Sequence, residues 1–177
     1  LSQVGLEEAQ ARGTDNLTAY DCVLSAYDYE RVFTPQRHAE VRDCLERAVE
    51  LDPDYADAWA KLAFVTTDEY AWGFNPRPDS MKRAMAAARK AVALDPTSQT
   101  TRWHMARTHY WNGDREAFFL ETEKALALNP NNSFVLAAAG AYYADAGEFE
   151  RGAALAHKAM AINPHYPTWY HFPTFQD

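Results

Sequence analysis

The clearest pattern of apolar and polar positions runs over residues 133–164. An unbroken apolar run, from Phe134 to Ala139 and on through Tyr143, follows Asn132 and Ser133, both good N-cap residues, and stops at Gly147. A second apolar-periodic run ends on Ala159, Met160, Ile162 and Asn163, and Pro164 cannot continue it. The pattern predicts two antiparallel helices in a hairpin. Gly140, Gly152 and Ala159 stand where the two helices must approach closely, so Gly140→Leu is the harshest core change the pattern implies. One hairpin cannot bury both faces of its first helix and needs neighbours. The chain supplies them. A motif of basic residue, Ala, apolar, any, apolar, Asp or Asn, and Pro ends at Pro53, Pro96, Pro130 and Pro164, so its spacings are 43, 34 and 34 residues.

Taken in order, residues 1–12 read as a short helix ended by Gly13, and residues 1–16 as an N-terminal extension or linker. A helix is predicted over residues 17–32, and Thr34 with Pro35 starts a second that ends near Leu51. The 43-residue spacing places an insertion in the second hairpin turn, around Tyr70, Trp72, Gly73, Phe74, Pro76 and Pro78. Its aromatics are too apolar for a solvated loop and are expected to fold back onto the helices or to form a second contact surface. Asp79 or Ser80 caps the next helix. Phe118 in the third hairpin is bulky for its position and implies a wider packing there. Residues 165–177 read as the first helix of a further pair, cut short, with Trp169, Tyr170 and Phe172 as an uncapped apolar end that would favour self-association. A chain that begins on Leu1 reads as a fragment of something longer.

The period and motif resemble the tetratricopeptide repeat (TPR). Trp59, Leu62 and Ala63 come close to its W-x-x-L-G signature. The resemblance covers residues 17–177, divided as 17–53, 54–96, 97–130, 131–164 and a partial 165–177. It implies an all-α right-handed superhelix, an α-solenoid of about four helix hairpins plus a partial fifth. A narrower resemblance rests on residues 14–21, on Gly73, Phe74, Asn75, Pro76, Arg77, Pro78 and Asp79, and on Trp169, Tyr170, His171 and Phe172. These look like the repeat segment of bacterial signalling proteins in which it follows an adenylate cyclase, winged-helix or TolB-like region. No cyclase or DNA-binding motif is present, so neither activity carries over.

The resemblance implies a non-catalytic scaffold that holds a protein or peptide segment in a concave groove lined by the first helices. Matching that face gives Tyr20 and Tyr27 in the first repeat, Phe64 in the second, Trp103, Arg107, Tyr110 and Trp111 in the third, and Phe134 and Asp145 in the fourth. Spacing agrees for the third repeat, where Trp103, Arg107, Tyr110 and Trp111 fall at i, i+4, i+7 and i+8 on one helix. Trp103 and Phe134 also fit core positions, and Arg107 fits an ion pair as well as a ligand contact. The alternative function is a small-molecule-binding or accessory catalytic domain built on the aromatic groove.

Charge and chemistry narrow this further. Seventeen basic residues against twenty-five acidic ones, a net charge of −8, argue against a phosphate-backbone binder and so against nucleic acid. No run of eighteen apolar residues predicts a membrane span, and a cytoplasmic location is expected. Cys22 and Cys44 lie in helical patterns and read as apolar reduced thiols in preference to the alternative, a disulfide. His104 and His109 are five residues apart, about 140° around a helix, which is not a metal pair. Glu116, Glu121 and Glu123 spread as a solvated face does. No metal, no cofactor and no catalytic residue is predicted.

Overall fold

The computed structural model describes residues 16–176. The expected helix over residues 1–12 lies outside them, as does the linker except for Asn16. Among the described residues there are eight α-helices and one 3-10 helix, and no strand. The α-helices are α1 (Leu17–Tyr29), α2 (Pro35–Leu51), α3 (Ala56–Ala71), α4 (Ser80–Leu94), α5 (Gln99–Trp111), α6 (Arg115–Leu128), α7 (Ser133–Asp145) and α8 (Phe149–Ile162). The 3-10 helix is Thr168–Gln176.

Local chemistry sets the ends. Side chains of Asn16, Thr34, Ser98, Asp114 and Asn132 each accept a backbone N–H three residues on, satisfying donors that a helix start leaves open. The recurring Asp/Asn-Pro motif has a physical cause. Asp52, Asp95, Asn129 and Asn163 each turn a side-chain oxygen onto the backbone N–H two residues on, at 2.9–3.3 Å. Each is an Asx turn that, with the proline, stops one hairpin and starts the next.

The helices pair as α1/α2, α3/α4, α5/α6 and α7/α8, with each pair stacked on its neighbour, an α-solenoid. One apolar core runs through the first two pairs around Tyr29, Leu45, Tyr55 and Val65, and a second gathers around Trp103, Phe118 and Tyr143. In the fourth pair the backbones nearly touch. A Cβ on Gly140 would lie 2.7 Å from the Gly152 carbonyl oxygen, and one on Gly152 would lie 2.7 Å from that of Gly140. The expected close approach is there, against backbone that cannot swing aside.

Cys22 and Cys44, expected as free thiols, form a disulfide between α1 and α2. Hairpin pairing brings their Cα atoms to 5.3 Å, within bonding range, and no helical pattern could have shown that two faces meet there. Closing a loop of 22 residues stabilises by about 3 kcal/mol through the unfolded chain.

The insertion folds back through a buried carboxylate. Glu69 takes the Arg42 guanidinium at 3.1 Å, the Ser80 hydroxyl at 2.8 Å, the Arg77 backbone N–H at 3.1 Å and Arg83. Burial alone would raise its carboxyl, but these donors together hold it below the usual range. Asn75, at φ 46°, donates to the Pro35 carbonyl at 2.6 Å, which ties the loop to α2. Phe74 packs on Phe33 and His38, and Trp72 on Phe33 and Trp111, whereas Tyr70 stays 61% exposed.

The C-terminal segment packs on α7 and α8, the place of a further first helix, but as a 3-10 helix. Pro173 sits inside it and withdraws a donor that an α-helix would use. Tyr170 and Pro173 are buried, while Trp169 and Phe172 remain 40% and 54% exposed. The apolar end is therefore partly covered by its own chain.

Candidate functional site: an aromatic groove

The first helices α3, α5 and α7 repeat their register against the proline that precedes each. Seven residues past Pro53, Pro96 and Pro130 stand Ala60, Trp103 and Ala137; eleven past stand Phe64, Arg107 and Ala141; fifteen past stand Asp68, Trp111 and Asp145. Helix α5 is thus bulky where α7 is small. Space opens beside Ala138 and Ala141, bounded by aromatic rings.

Two cavities fill this face. The larger, about 840 Å³, lies among Tyr27, Lys61, Phe134, Trp169 and Tyr170, and the smaller, about 640 Å³, among Phe33, Phe64, Trp72, Trp111, Tyr142 and Phe172. Both are lined by Glu30, Trp103, His104, Phe134 and Trp169, so they form one continuous groove. Tyr142 is its central ring, with centroids 4.6 Å from Tyr110, 5.9 Å from Trp103 and 6.5 Å from Trp111.

The groove floor is ionic. The Asp68 carboxylate receives the Arg107 guanidinium and, at 2.9 Å, the Tyr29 hydroxyl. Arg107 also donates to the Phe64 carbonyl at 3.1 Å and to the Tyr142 hydroxyl oxygen at 2.9 Å, and it lies 4.7 Å from the centre of the Phe64 ring. Burial pushes the Asp68 carboxyl upward, while Arg107 and Tyr29 pull it back. Burial alone would loosen the proton on Arg107, yet Asp68 and Tyr142 hold it more firmly than usual, so the guanidinium stays charged. Beside this pair, Lys61 donates to Glu30 at 2.6 Å and stands 3.6 Å from the centre of the Tyr27 ring. His104 is buried among them. Burial first, then the Lys61 and Arg107 charges, lower its pKa well below the usual imidazole range, so the ring is neutral near pH 7.

Of the residues expected in the groove, Phe64, Trp103, Arg107, Tyr110, Trp111, Phe134 and Asp145 line the smaller cavity and Tyr27 the larger. Tyr20 is 5% exposed and lines neither. Trp103 and Arg107 lie deep, at 3% and 5% exposure, and Phe134 reaches the surface at 38%. Arg107 takes the ion-paired role that its position allowed. Sequence reasoning missed Phe33 and Trp72, which come from turns outside the repeat register, and Tyr142, one position past the matched face. It also missed Asp68, although the fifteen-residue register that selects Trp111 and Asp145 selects it too. Among the described residues, no group of three or more His, Cys, Asp or Glu side chains is placed to hold a metal ion, and no helix is long and apolar enough to cross a membrane.

No protein-family model matches the chain. Among curated proteins it is similar to putative adenylate cyclase 3 of Rhizobium meliloti (strain 1021), 26% identical over 106 residues, which is 59% of this chain. The match spans 18% of that protein's length. Among solved structures, TTC0263, a thermophilic TPR protein of Thermus thermophilus, superposes with a TM-score of 0.71 at 14% identity over 96% of this chain and 87% of that one. The human IFIT1 dimer with m7Gppp-AAAA gives 0.69 at 19% identity over 88% of this chain and 34% of that one. YrrB, a TPR protein with an unusual peptide-binding site, gives 0.52 at 14% identity over 97% and 79%.

Proposed function

From a chain with the tetratricopeptide-repeat fold, we propose a non-catalytic scaffold that holds an extended segment of a partner protein in the aromatic groove. The observation that carries this is the exposure of Phe33, Trp72, Phe134, Trp169 and Phe172, between 38% and 54%, around one continuous cavity. A contiguous apolar patch on a folded chain marks a contact surface, and large aromatics are the usual anchors of binding energy. The charged groups on the floor are spent on one another, Asp68 with Arg107 and Glu30 with Lys61, which favours holding over catalysis.

Residues 17–177 act in this reading as one binding arm, and the similarity to a stretch of a putative adenylate cyclase supports a place within a larger bacterial signalling protein. The net charge of −8 disfavours a phosphate backbone, which supports a protein segment over nucleic acid as the partner. Self-association would use Trp169 and Phe172, and so would compete with the partner for the groove. A cytoplasmic location follows from the signalling reading, whereas the Cys22–Cys44 bond favours an oxidising compartment. Counting free thiols on protein trapped directly from cells decides between the two.

The test is a selection of displayed peptides on the folded protein, followed by titration of the selected peptides with Trp72→Ser and Phe172→Ser. Both side chains are more than half exposed, so the fold survives their loss. Each change is expected to weaken binding about tenfold or more. Peptides that bind both variants like the parent would remove the groove as the site.

A further inference from the structure

Among the described residues, one carboxylate of the groove is left without a neutralising partner. Asp145 is the last residue of α7, where a negative charge adds to the negative end of the helix dipole instead of cancelling it. It is exposed, it lines the smaller cavity, and it accepts a hydrogen bond from the Tyr110 hydroxyl. Among the described residues no Lys, Arg or His pairs with it. The contrast with its repeat equivalent is direct. Asp68 and Asp145 both stand fifteen residues past their proline, separated by one 43-residue and one 34-residue spacing. At Asp68 the next first helix supplies Arg107, whose guanidinium lies on the Phe64 ring and closes on the carboxylate.

Around Asp145 the other half of that arrangement is waiting. Tyr110, Trp111 and Tyr142 present aromatic surface at the same corner of the groove. Where Phe64 fills the space beneath Arg107, the matching position in α7 is Ala141, which leaves room. The Tyr142 hydroxyl is held by two donors, Arg107 at 2.9 Å and the Trp111 indole N–H at 3.2 Å. Its own O–H therefore has no acceptor among the described residues and is free to donate to a backbone carbonyl of a bound segment. Resting on the groove reading above, we propose that the partner segment presents an arginine, flanked by apolar residues, whose guanidinium takes at Asp145 the place that Arg107 takes at Asp68. A planar cation suits this corner because it can stack on a ring while its fork of donors meets a carboxylate.

The experiment uses three synthetic peptides of one sequence, acetyl-Leu-Phe-Arg-Leu-Phe-amide and its versions with Gln or Glu in place of Arg, titrated by calorimetry. The proteins are the parent, Asp145→Asn and Glu116→Gln, the last a loss of one charge at an exposed residue of α6 that lines neither cavity. The Arg peptide is expected to bind the parent about tenfold tighter than the Gln peptide, with the Glu peptide weakest, and added salt is expected to narrow the gap. Asp145→Asn is expected to bring Arg and Gln peptides within about twofold of each other while leaving the Gln peptide's affinity unchanged; Glu116→Gln should behave as the parent. Equal binding of Arg and Gln peptides to the parent overturns the arginine subsite and leaves the groove standing. A preference for Arg that survives Asp145→Asn overturns the assignment to that carboxylate. Failure of all three peptides to bind at millimolar concentration overturns the groove reading and this inference with it.

Discussion

The third and fourth hairpins share a 34-residue register and differ in what they put at each place. Ala106 and Phe118 in the third correspond to Gly140 and Gly152 in the fourth; His104 and Arg107 correspond to Ala138 and Ala141. In the fourth pair the two backbones close until only glycine fits between them. In the third, a fully buried Phe118 stands in that seam and packs on Tyr110 and Tyr143. One topology therefore tolerates two packings, provided the facing residues change together. Their juxtaposition also makes the groove. The bulky helix α5 supplies a wall, and the small residues of α7 leave the space beside it.

The largest expected effect comes from forcing the fourth hairpin toward the third. Gly140→Leu drives a side chain into the Gly152 carbonyl of α8, and is expected to cost about 4 kcal/mol or to unfold that pair outright. Urea unfolding followed by circular dichroism measures it, and an unchanged midpoint would disprove the close approach. Next is Arg107→Met, which leaves Asp68 buried and unpaired and is expected to cost about 3 kcal/mol by the same assay. Arg107→Met combined with Asp68→Leu should recover part of that loss, because no orphaned charge remains.

A smaller effect separates the hairpins by pH. His104 is buried neutral with a folded pKa far below 6.5, so the unfolded chain binds a proton that the folded chain refuses. The stability present above pH 6.5 is expected to fall as pH drops below it, with this residue contributing up to about 1.4 kcal/mol per pH unit. In His104→Leu that part of the slope should vanish; a parent and variant with parallel pH profiles would show the ring to be solvated. Least of all, Ala106→Gly copies the fourth hairpin's residue into the third. Since Phe118 keeps those backbones apart, no closer packing can follow, and only the helix cost of glycine, about 1 kcal/mol, is expected. A gain in stability would mean that the third seam can also close.

The repeat was legible because it is local. Apolar periodicity, helix caps and the four Asp/Asn-Pro turns act within a few residues of themselves, so the chain states its helices and their order without help from the rest of the fold. Gly140 and Phe118 were readable for the same reason, each being an exception to a register that the other copies define. What the tertiary structure decided are the meetings of residues far apart. Cys22 faces Cys44 only once α1 lies on α2. Phe33 and Trp72 join the groove from turns that no helical period reaches. Arg107 could be read from its helix face as a ligand contact or as one half of a pair, and the choice fell to Asp68, 39 positions earlier, reached across the stack. Asp145 sits at the equivalent place with no such neighbour among the described residues, so that similar carboxylates at one register position acquire opposite roles, one sealed in the floor and one left facing the groove.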